Sequence, residues 1–170
     1  MLHHAMISVV IPAYNHASWV ATAIQSVFAQ THTDWEMIII DDASSDATWQ
    51  VIQGFSDARI RAWQHEYNQG AASTLNEALA AAKGDYIAIL NSDDSWHPTR
   101  LARCLSIALE QDASFVATSA HIQYSYQTIP VRQQEAFAVW YQNLQSELQS
   151  NSSFLTTLVR GNILLTTSNF

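Results

Sequence analysis

The chain has few cations. Only 7 of its 170 residues are lysine or arginine, against 15 aspartate and glutamate residues, and the formal net charge is −8. Lys83 is the single lysine. Because so few cations cannot form a basic patch, the composition argues against a nucleic-acid backbone and an anionic membrane surface as partners. A small anionic ligand stays open if a metal ion supplies the positive charge.

Cysteine and long apolar runs are scarce too. The single cysteine, Cys104, rules out an intrachain disulfide and a cysteine-based zinc cage. No apolar run reaches the ~18 residues of a membrane span, and the first residues lack a signal-peptide pattern. The 48% apolar content is enough for a packed core. We therefore expect a reducing, cytoplasmic compartment.

Three common ligand-binding motifs are absent from the sequence. There is no P-loop, no Gly-x-Ser-x-Gly nucleophile turn, and no Gly-x-Gly-x-x-Gly after the first apolar run, where Ile11–Asn15 stands instead. These absences argue against P-loop nucleotide hydrolases, dinucleotide-binding Rossmann enzymes and the usual α/β-hydrolases.

Apolar strands alternate with amphipathic helices up to about Ser119. We predict strands at Met6–Ile11, Trp35–Ile40, Arg59–His65, Tyr86–Leu90 and Ser114–Thr118. Apolar residues at helical spacing predict three helices in the intervals between these strands. The first has its apolar stripe at Val20, Ala23, Ile24, Val27 and Phe28. The second has it at Leu75, Ala78, Leu79 and Ala82, and the third at Leu101, Leu105, Ala108 and Leu109. A shorter helix is predicted at Thr48–Phe55, and Ser18, Gly84 and Pro98 are predicted to mark helix ends. This order predicts an α/β fold with a mainly parallel central sheet, and we divide the chain into 1–120 and an incomplete 121–170 region.

Polar loops follow the first four predicted strands, and two of them carry adjacent carboxylates. The loops are Pro12–Asn15, Asp41–Ser44, Tyr67–Gly70 and Asn91–Asp94. Ligands of such sheets bind outside the carboxyl ends of the strands, where all four loops converge. Since carboxylates bind phosphates only through a bridging cation, the pairs Asp41-Asp42 and Asp93-Asp94 predict a site that uses Mg²⁺ or Mn²⁺. Most of the seven histidines are expected to be structural or on the surface. His97 is the one kept as a candidate, because it stands four residues after Asp93.

Four ordered motifs in residues 7–101 resemble the family 2 glycosyltransferases of the GT-A fold. The first is Ile7–Asn15, and the second is Asp41–Thr48, which is similar to the family's Asp-Asp-x-Ser-x-Asp-x-Thr element. The third runs from Asn68-Gln69-Gly70 to Gly84–Ile87. The fourth is Asn91-Ser92-Asp93, at the place of the family's Asp-x-Asp motif. The resemblance implies a Rossmann-like three-layer sandwich with a mainly parallel sheet.

The resemblance also implies a role for each site residue. Nucleotide binding is implied for Pro12, Ala13, Tyr14, Asn15, Asp41, Asp42, Asn91 and Ser92. Tyr14 would pack against the base, Asp42 would accept a hydrogen bond from it, Asp93 would bind the metal ion, and Asp94 would face the sugar or support the metal site. Structural alternatives stay open. They are a core position for Tyr14, a helix cap for Asp41 or Asp46, a loop acid without a metal role for Asp93, and a solvated loop acid or helix cap for Asp94. Arg100 could lie on a solvated helix face, and Asn76, Glu77 and His97 could have packing roles.

By the same resemblance the chain is a metal-dependent, inverting hexosyltransferase. It would use a nucleotide-diphosphate sugar, most often a UDP-sugar, and a glycan or lipid-linked acceptor in cell-surface polysaccharide biosynthesis. The full-length protein would be cytoplasmic or peripheral at the inner membrane face.

Two departures from the family pattern carry weight. Asn91 replaces the first aspartate of the metal motif, and Leu75 replaces an arginine that often precedes Asn76. The catalytic general base of inverting members is expected beyond Phe170, and Glu135 and Glu147 are poor substitutes. A binding-only module without that base is therefore the alternative, whereas a phospho-receiver is disfavoured because Lys83 precedes a strand.

Overall fold

The computed structural model of the chain describes residues 5–116 and 118. In this part, strands and helices alternate throughout. The elements are β1 (Ile7–Ala13), α1 (Val20–Phe28), β2 (Trp35–Asp41), α2 (Thr48–Gln53), β3 (Ile60–Gln64), α3 (Ala71–Ala81), β4 (Tyr86–Ile89) and α4 (Arg100–Glu110). The first four predicted strands and all four predicted helices are confirmed, with small shifts at their ends.

The four strands form one parallel sheet in the order β3-β2-β1-β4. Ile7 of β1 is in register with Trp35 of β2 and with Tyr86 of β4. The two central strands are almost wholly buried, which explains their near-continuous apolar sequence. All four strands run the same way, so the loops that follow them reach one edge of the sheet, here called the carboxyl edge.

Helices cover both faces of the sheet and make three layers. Side chains alternate along β1, so that Val9 and Ile11 face one core while Val10 faces the other. The larger core joins β1 and β2 to α1, α2 and α4, and the smaller one packs Val10, Ile38 and Ile40 against Ala78 of α3. The predicted α/β three-layer fold is confirmed.

Several predicted details are wrong. α1 begins at Val20 and its N-cap position is Trp19, without a side-chain cap, so Ser18 is not the cap. α3 ends at Ala81, before Gly84. Gly84 is required for another reason, because a Cβ atom there would lie 2.7 Å from the backbone oxygen of Met6 and 2.7 Å from the backbone nitrogen of Ser8. Residues 114–116 and 118 contain no strand.

Other predictions fall outside the described residues. The interpretation of 121–170 as a separate region, and the weighing of Glu135 and Glu147 as bases, stay predictions. In the described part of the chain, no helix is both long and apolar enough to cross a membrane.

Candidate functional site

Hydrogen bonds join the loops at the carboxyl edge to one another. The backbone nitrogen of Asn15 donates to Ser44 Oγ at 2.9 Å, and the backbone nitrogen of Ser45 donates to Asn15 Oδ1 at 2.8 Å. His16 Nδ1 lies 2.7 Å from Ser92 Oγ, which links the loop after β1 to the loop after β4. The convergence predicted from strand order is therefore present as direct contacts.

Asp41 is fully buried and ties β2 to its neighbours. Its carboxylate accepts hydrogen bonds from the Ser44 hydroxyl, from the Ser44 backbone nitrogen at 3.3 Å, and from Gln64 Nε2 at 2.6 Å. Gln64 is the last residue of β3, so Asp41 connects the ends of β2 and β3. The surrounding chain engages both of its oxygens, and its predicted contact with a nucleotide stays a prediction.

Asp42 is only 3% exposed and holds the loop that follows β3. Its Oδ1 accepts from the backbone nitrogen of Gln69 at 2.8 Å and lies 2.8 Å from His65 Nδ1, while Oδ2 accepts from the backbone nitrogen of Gly70 at 2.8 Å. Burial disfavours its charged form, but these hydrogen bonds outweigh burial and keep the pKa of Asp42 below its ordinary value. Asp42 thus positions the Tyr67–Gly70 loop, and its predicted hydrogen bond to a base stays a prediction.

His65 extends this network to α3. Its Nε2 atom lies 3.0 Å from Glu77 Oε2, and Trp63 Nε1 donates to Glu77 Oε1 at 2.6 Å. Burial disfavours the imidazolium, but the hydrogen bonds and charges of Asp42 and Glu77 outweigh it and raise the pKa of His65. The sequence patterns marked Glu77 as structural and missed His65, whose partners lie 12 and 23 positions away in the chain.

The loop after β1 presents an aromatic side chain. β1 extends to Ala13, so Pro12 and Ala13 are strand residues and Ala13 is buried. Tyr14, by contrast, is 46% exposed at the carboxyl edge. The core alternative for Tyr14 is therefore wrong, and its ring is accessible to a ligand. Asn15 adopts a left-handed backbone with φ of 54°.

The Asn91–Asp94 loop forms a compact turn. The backbone nitrogen of Asp94 donates to the carbonyl of Asn91 at 3.1 Å, and Asn91 Nδ2 donates to Asp94 Oδ2 at 3.2 Å. Burial raises the pKa of Asp93, the charge of Asp94 adds to that rise, and His16 opposes it. Two neighbouring carboxylates in a poorly hydrated loop make an environment that a divalent cation would relieve.

The donor set in this loop suits a hard cation. Asp93, Asp94 and the Asn91 side chain all offer oxygen, the ligand atom that Mg²⁺ and Mn²⁺ prefer. Among residues 5–116 and 118, no group of three or more His, Cys, Asp or Glu side chains is placed to hold a metal ion. One or two carboxylates with substrate phosphates are the usual arrangement for Mg²⁺, so the loop fits an ion completed by the ligand.

The remaining candidates have local roles. His97 Nδ1 lies 3.0 Å from Thr99 Oγ1, just before α4. Asp46 accepts from the backbone nitrogens of Thr48 at 2.9 Å and Ala17 at 3.0 Å. The N-cap position of α2 is Ala47, without a side-chain cap, so Asp46 bonds to the first helical residue from outside that position. The Arg100 guanidinium lies 4.8 Å from the centre of the Trp96 ring, and burial lowers its pKa, so a fully solvated position is wrong.

Comparison with known proteins gives a family match over most of the chain. The model of glycosyl transferase family 2 matches residues 8–162. The chain is 40% identical over 111 residues to the Escherichia coli UDP-Glc:alpha-D-GlcNAc-diphosphoundecaprenol beta-1,3-glucosyltransferase WfgD. The aligned region covers 65% of this chain and 44% of WfgD. The chain spans less than half the length of the first curated relatives it matches.

Solved structures share the fold. Residues 1–349 of Staphylococcus aureus TarS, in complex with UDP-GlcNAc, match with a TM-score of 0.61 at 22% identity, over 73% of this chain and 38% of that chain. The mannosyltransferase PcManGT from Pyrobaculum calidifontis, in complex with GDP-Man and Mn²⁺, matches with a TM-score of 0.57 at 24% identity, over 63% of this chain and 33% of that chain.

Proposed function

The chain belongs to glycosyl transferase family 2, and on that premise we propose that it binds a nucleotide-diphosphate sugar at the carboxyl edge and donates the sugar to an acceptor hydroxyl. The observation that carries this proposal is the convergence of four loops. One presents the exposed Tyr14, a second carries Asp42, a third is held by Asp42, and the fourth carries Asp93 and Asp94. An aromatic surface beside a cluster of oxygen ligands suits a base joined to a diphosphate.

Uridine diphosphate is the proposed donor nucleotide, and a lipid-linked glycan is the proposed acceptor. The printed name of WfgD specifies UDP-Glc and a diphosphoundecaprenol acceptor, and TarS was solved with UDP-GlcNAc. By analogy, we place the chain in cell-surface polysaccharide biosynthesis, at the inner face of the membrane. The roles of Pro12–Asn15, Asp41, Asn91 and Ser92 in nucleotide binding belong to the same proposal.

A divalent metal ion, Mn²⁺ or Mg²⁺, completes the proposed site. Asp93 would hold it, with Asp94 as a second oxygen ligand or as a contact to the sugar. Such an ion offsets the negative charge of a departing diphosphate. Inversion at the sugar carbon would need a carboxylate base beside the acceptor hydroxyl. We place that base C-terminal to the described residues.

Binding calorimetry with UDP tests the donor site. UDP is titrated with Mn²⁺, with excess chelator, and against Asp93→Ala. We expect chelator or Asp93→Ala to weaken binding by about 10- to 100-fold, the range for loss of a residue that supports a metal site. Asp57→Ala, which removes a carboxylate paired with Arg59 before β3, is the matched control and should bind UDP like the wild type.

Absence of binding to UDP, GDP and dTDP would contradict the donor site. Where UDP binds, a transfer assay with UDP-glucose and a lipid-linked acceptor separates an enzyme from the alternative, a binding-only module. Binding without transfer or donor hydrolysis would favour the module.

A further inference from the structure

A buried ionic network lies directly behind the proposed nucleotide loops. In it, His65 stands between Asp42 at the end of β2 and Glu77 on α3. Asp42 in turn accepts the backbone N–H groups of Gln69 and Gly70, where the β3–α3 loop ends and α3 begins. The network therefore runs without a break from α3 to the carboxyl edge.

The geometry requires two protons on the His65 ring. Each ring nitrogen faces a carboxylate oxygen, at 2.8 Å for Asp42 and 3.0 Å for Glu77. A neutral imidazole has one N–H donor and one acceptor nitrogen, so it can satisfy only one of these carboxylates. The other contact would become a repulsion between two acceptors. The charged ring is thus the state in which both contacts hold.

The groups packed around His65 reinforce that state. Glu77 is held in place by Trp63 Nε1, and the His65 backbone nitrogen donates to the Asp41 carbonyl at 2.9 Å. The charges that act on the ring are those of Glu77 and Asp42, both negative. The Thr74 hydroxyl of α3 donates to the Gly70 carbonyl at 3.0 Å, at the end of the same loop.

We propose that charged His65, held by Glu77, is a positioning residue of the donor site that fixes Asp42 and, through it, the Tyr67–Gly70 loop, so that donor binding weakens when His65 loses its proton. This inference rests on the proposed function for its binding readout. His65 is nearly buried, at 9% exposure, and acts through Asp42 instead of touching the donor.

Loss of the proton releases one of the two carboxylates that hold His65. The neutral ring keeps a hydrogen bond to one carboxylate and repels the other. When Asp42 is released, its oxygens no longer keep their alignment with the Gln69 and Gly70 amides, and the loop between β3 and α3 loosens. When Glu77 is released, the link from α3 to β3 weakens. Either outcome makes the loop less ordered before the donor arrives, which lowers affinity.

The test is the affinity for UDP with Mn²⁺, measured by calorimetry from about pH 6 to about pH 9, the range around an ordinary histidine pKa and above it. Wild type should lose roughly tenfold in affinity as His65 deprotonates, about the worth of one charge-assisted hydrogen bond. His65→Gln should be weak at every pH and lack that step. Glu77→Gln, which keeps the Trp63 acceptor but removes the charge, should move the step to lower pH.

Two control variants separate this effect from general titration of nucleotide and metal. His32→Gln changes a histidine bonded to the backbone oxygens of Ala5 and Asp34, and Glu110→Gln changes a helical glutamate bonded to Ser106. Both should follow the wild-type profile. A His65→Gln variant with wild-type affinity and a wild-type pH profile would overturn the proposal.

A second readout needs no ligand. NMR titration of the 170-residue chain follows the His65 ring and the amide signals of Gln69 and Gly70 together. We expect the two amides to shift with the same midpoint as the ring in wild type, and with a lower midpoint in Glu77→Gln. Amides that do not respond to the ring titration would overturn the positioning role even if UDP binds. If wild type binds no nucleotide, the proposed function fails, and this amide response alone decides whether His65 orders the loop.

Discussion

The two edges of the sheet use carboxylates in opposite ways. The edge at which the strands begin is here called the amino edge. There, Glu36 accepts from Ser8 Oγ at 2.7 Å, from the Lys83 backbone nitrogen at 2.6 Å, and from Arg61 Nη2 at 2.9 Å. Asp57 is likewise paired with Arg59, and that pair holds the pKa of Asp57 at about 2. Glu36 and Asp57 each pair with an arginine, and Asp85, just before β4, accepts from the backbone nitrogen of Met6 at 3.0 Å.

The carboxyl edge concentrates acids without a matching number of arginines. Asp41, Asp42, Asp46, Asp93 and Asp94 all lie in its loops. Asp41, Asp42 and Asp46 bind backbone nitrogens, hydroxyls, an amide or a histidine. Burial raises the pKa of Asp93, and the neighbouring charge of Asp94 adds a smaller rise. The difference is that Glu36 and Asp57 are neutralised by arginines, whereas the carboxyl edge holds the carboxylates to which we assign the proposed cation and ligand.

The largest expected effect comes from Asp42→Ala compared with Glu36→Ala. Asp42→Ala should lower the free energy of unfolding by about 3–5 kcal/mol, because it leaves His65 and the Gln69 and Gly70 amides without their buried partner. Glu36→Ala should cost less, about 1–3 kcal/mol, since Arg61 is partly exposed and can hydrate. Urea unfolding of both variants checks the order, and an equal or reversed order would contradict the contrast between the edges.

A methyl group at Gly84 should destabilise the contact between β4 and β1 at the amino edge. Gly84→Ala places a carbon within 2.7 Å of backbone atoms of β1, so β4 must shift away from β1. We expect a loss of about 1–3 kcal/mol, the usual cost of overpacking. Gly54→Ala, whose nearest neighbour would be the Val51 carbonyl at 3.2 Å, is the milder control. Thermal unfolding of both would show whether the close approach at Gly84 matters.

Stability should depend on pH through the carboxyl edge. His65 has a raised pKa when folded, so its contribution is complete below about pH 6.5, its ordinary value, and is lost as pH rises through the folded pKa. Asp42 has a lowered pKa, so its contribution is present above about pH 4 and is lost at lower pH. The free energy of unfolding should therefore peak between these limits and fall by about 1–2 kcal/mol on the alkaline side.

Urea unfolding of wild type and His65→Gln at a series of pH values separates the two limits. The variant should lose the alkaline decline and keep the acid one. His32→Gln should behave like wild type. If the alkaline decline in the free energy of unfolding persists unchanged in His65→Gln, groups other than His65 cause it.

The smallest expected effect is a gain. Ala43, between Asp42 and Ser44, has φ of 59°, a left-handed conformation that disfavours an L side chain. Ala43→Gly should relieve this strain and raise the free energy of unfolding by up to about 1 kcal/mol, since the relief exceeds the entropy cost of glycine. Ala80→Gly, at an exposed position inside α3, should be destabilising instead. Thermal unfolding should rank the two variants with opposite signs.

Local patterns were sufficient for the elements and for the place of the site. Continuous apolar runs over β1 and β2 predicted buried parallel strands, and alternation with helices predicted that the loops after them share one edge. The helical stripe over Val20, Ala23, Ile24 and Val27 is buried as predicted. These results follow from short-range periodicity, which the order of residues carries directly.

The same patterns did not predict which side chains contact each other between different strands, loops and helices. His16 meets Ser92 across 76 positions, and His65 meets Asp42 and Glu77 across 23 and 12 positions. Nothing in the spacing of these residues marks them as partners, although all of them except Glu77, which lies on α3, stand just beyond the end of a strand. The sequence pattern predicts a helix end at Gly84 because glycine commonly stops helices. The structure instead requires glycine there because the backbone of Ser8 in β1, more than 70 positions earlier, leaves no room for a Cβ atom.

The sequence by itself determined the strand–helix order, the family and the four loops that would meet, because each depends on local periodicity or on ordered motifs. Only the tertiary structure decided what each acid at that meeting point does. Asp41 and Asp42 are buried and accept several hydrogen bonds from other loops and strands, whereas Asp93 and Asp94 are adjacent carboxylates, and the charge of Asp94 adds to the burial that raises the pKa of Asp93. The physical reason is that the state of a carboxylate depends on its hydration and on the donors within about 3 Å, which only folding brings together.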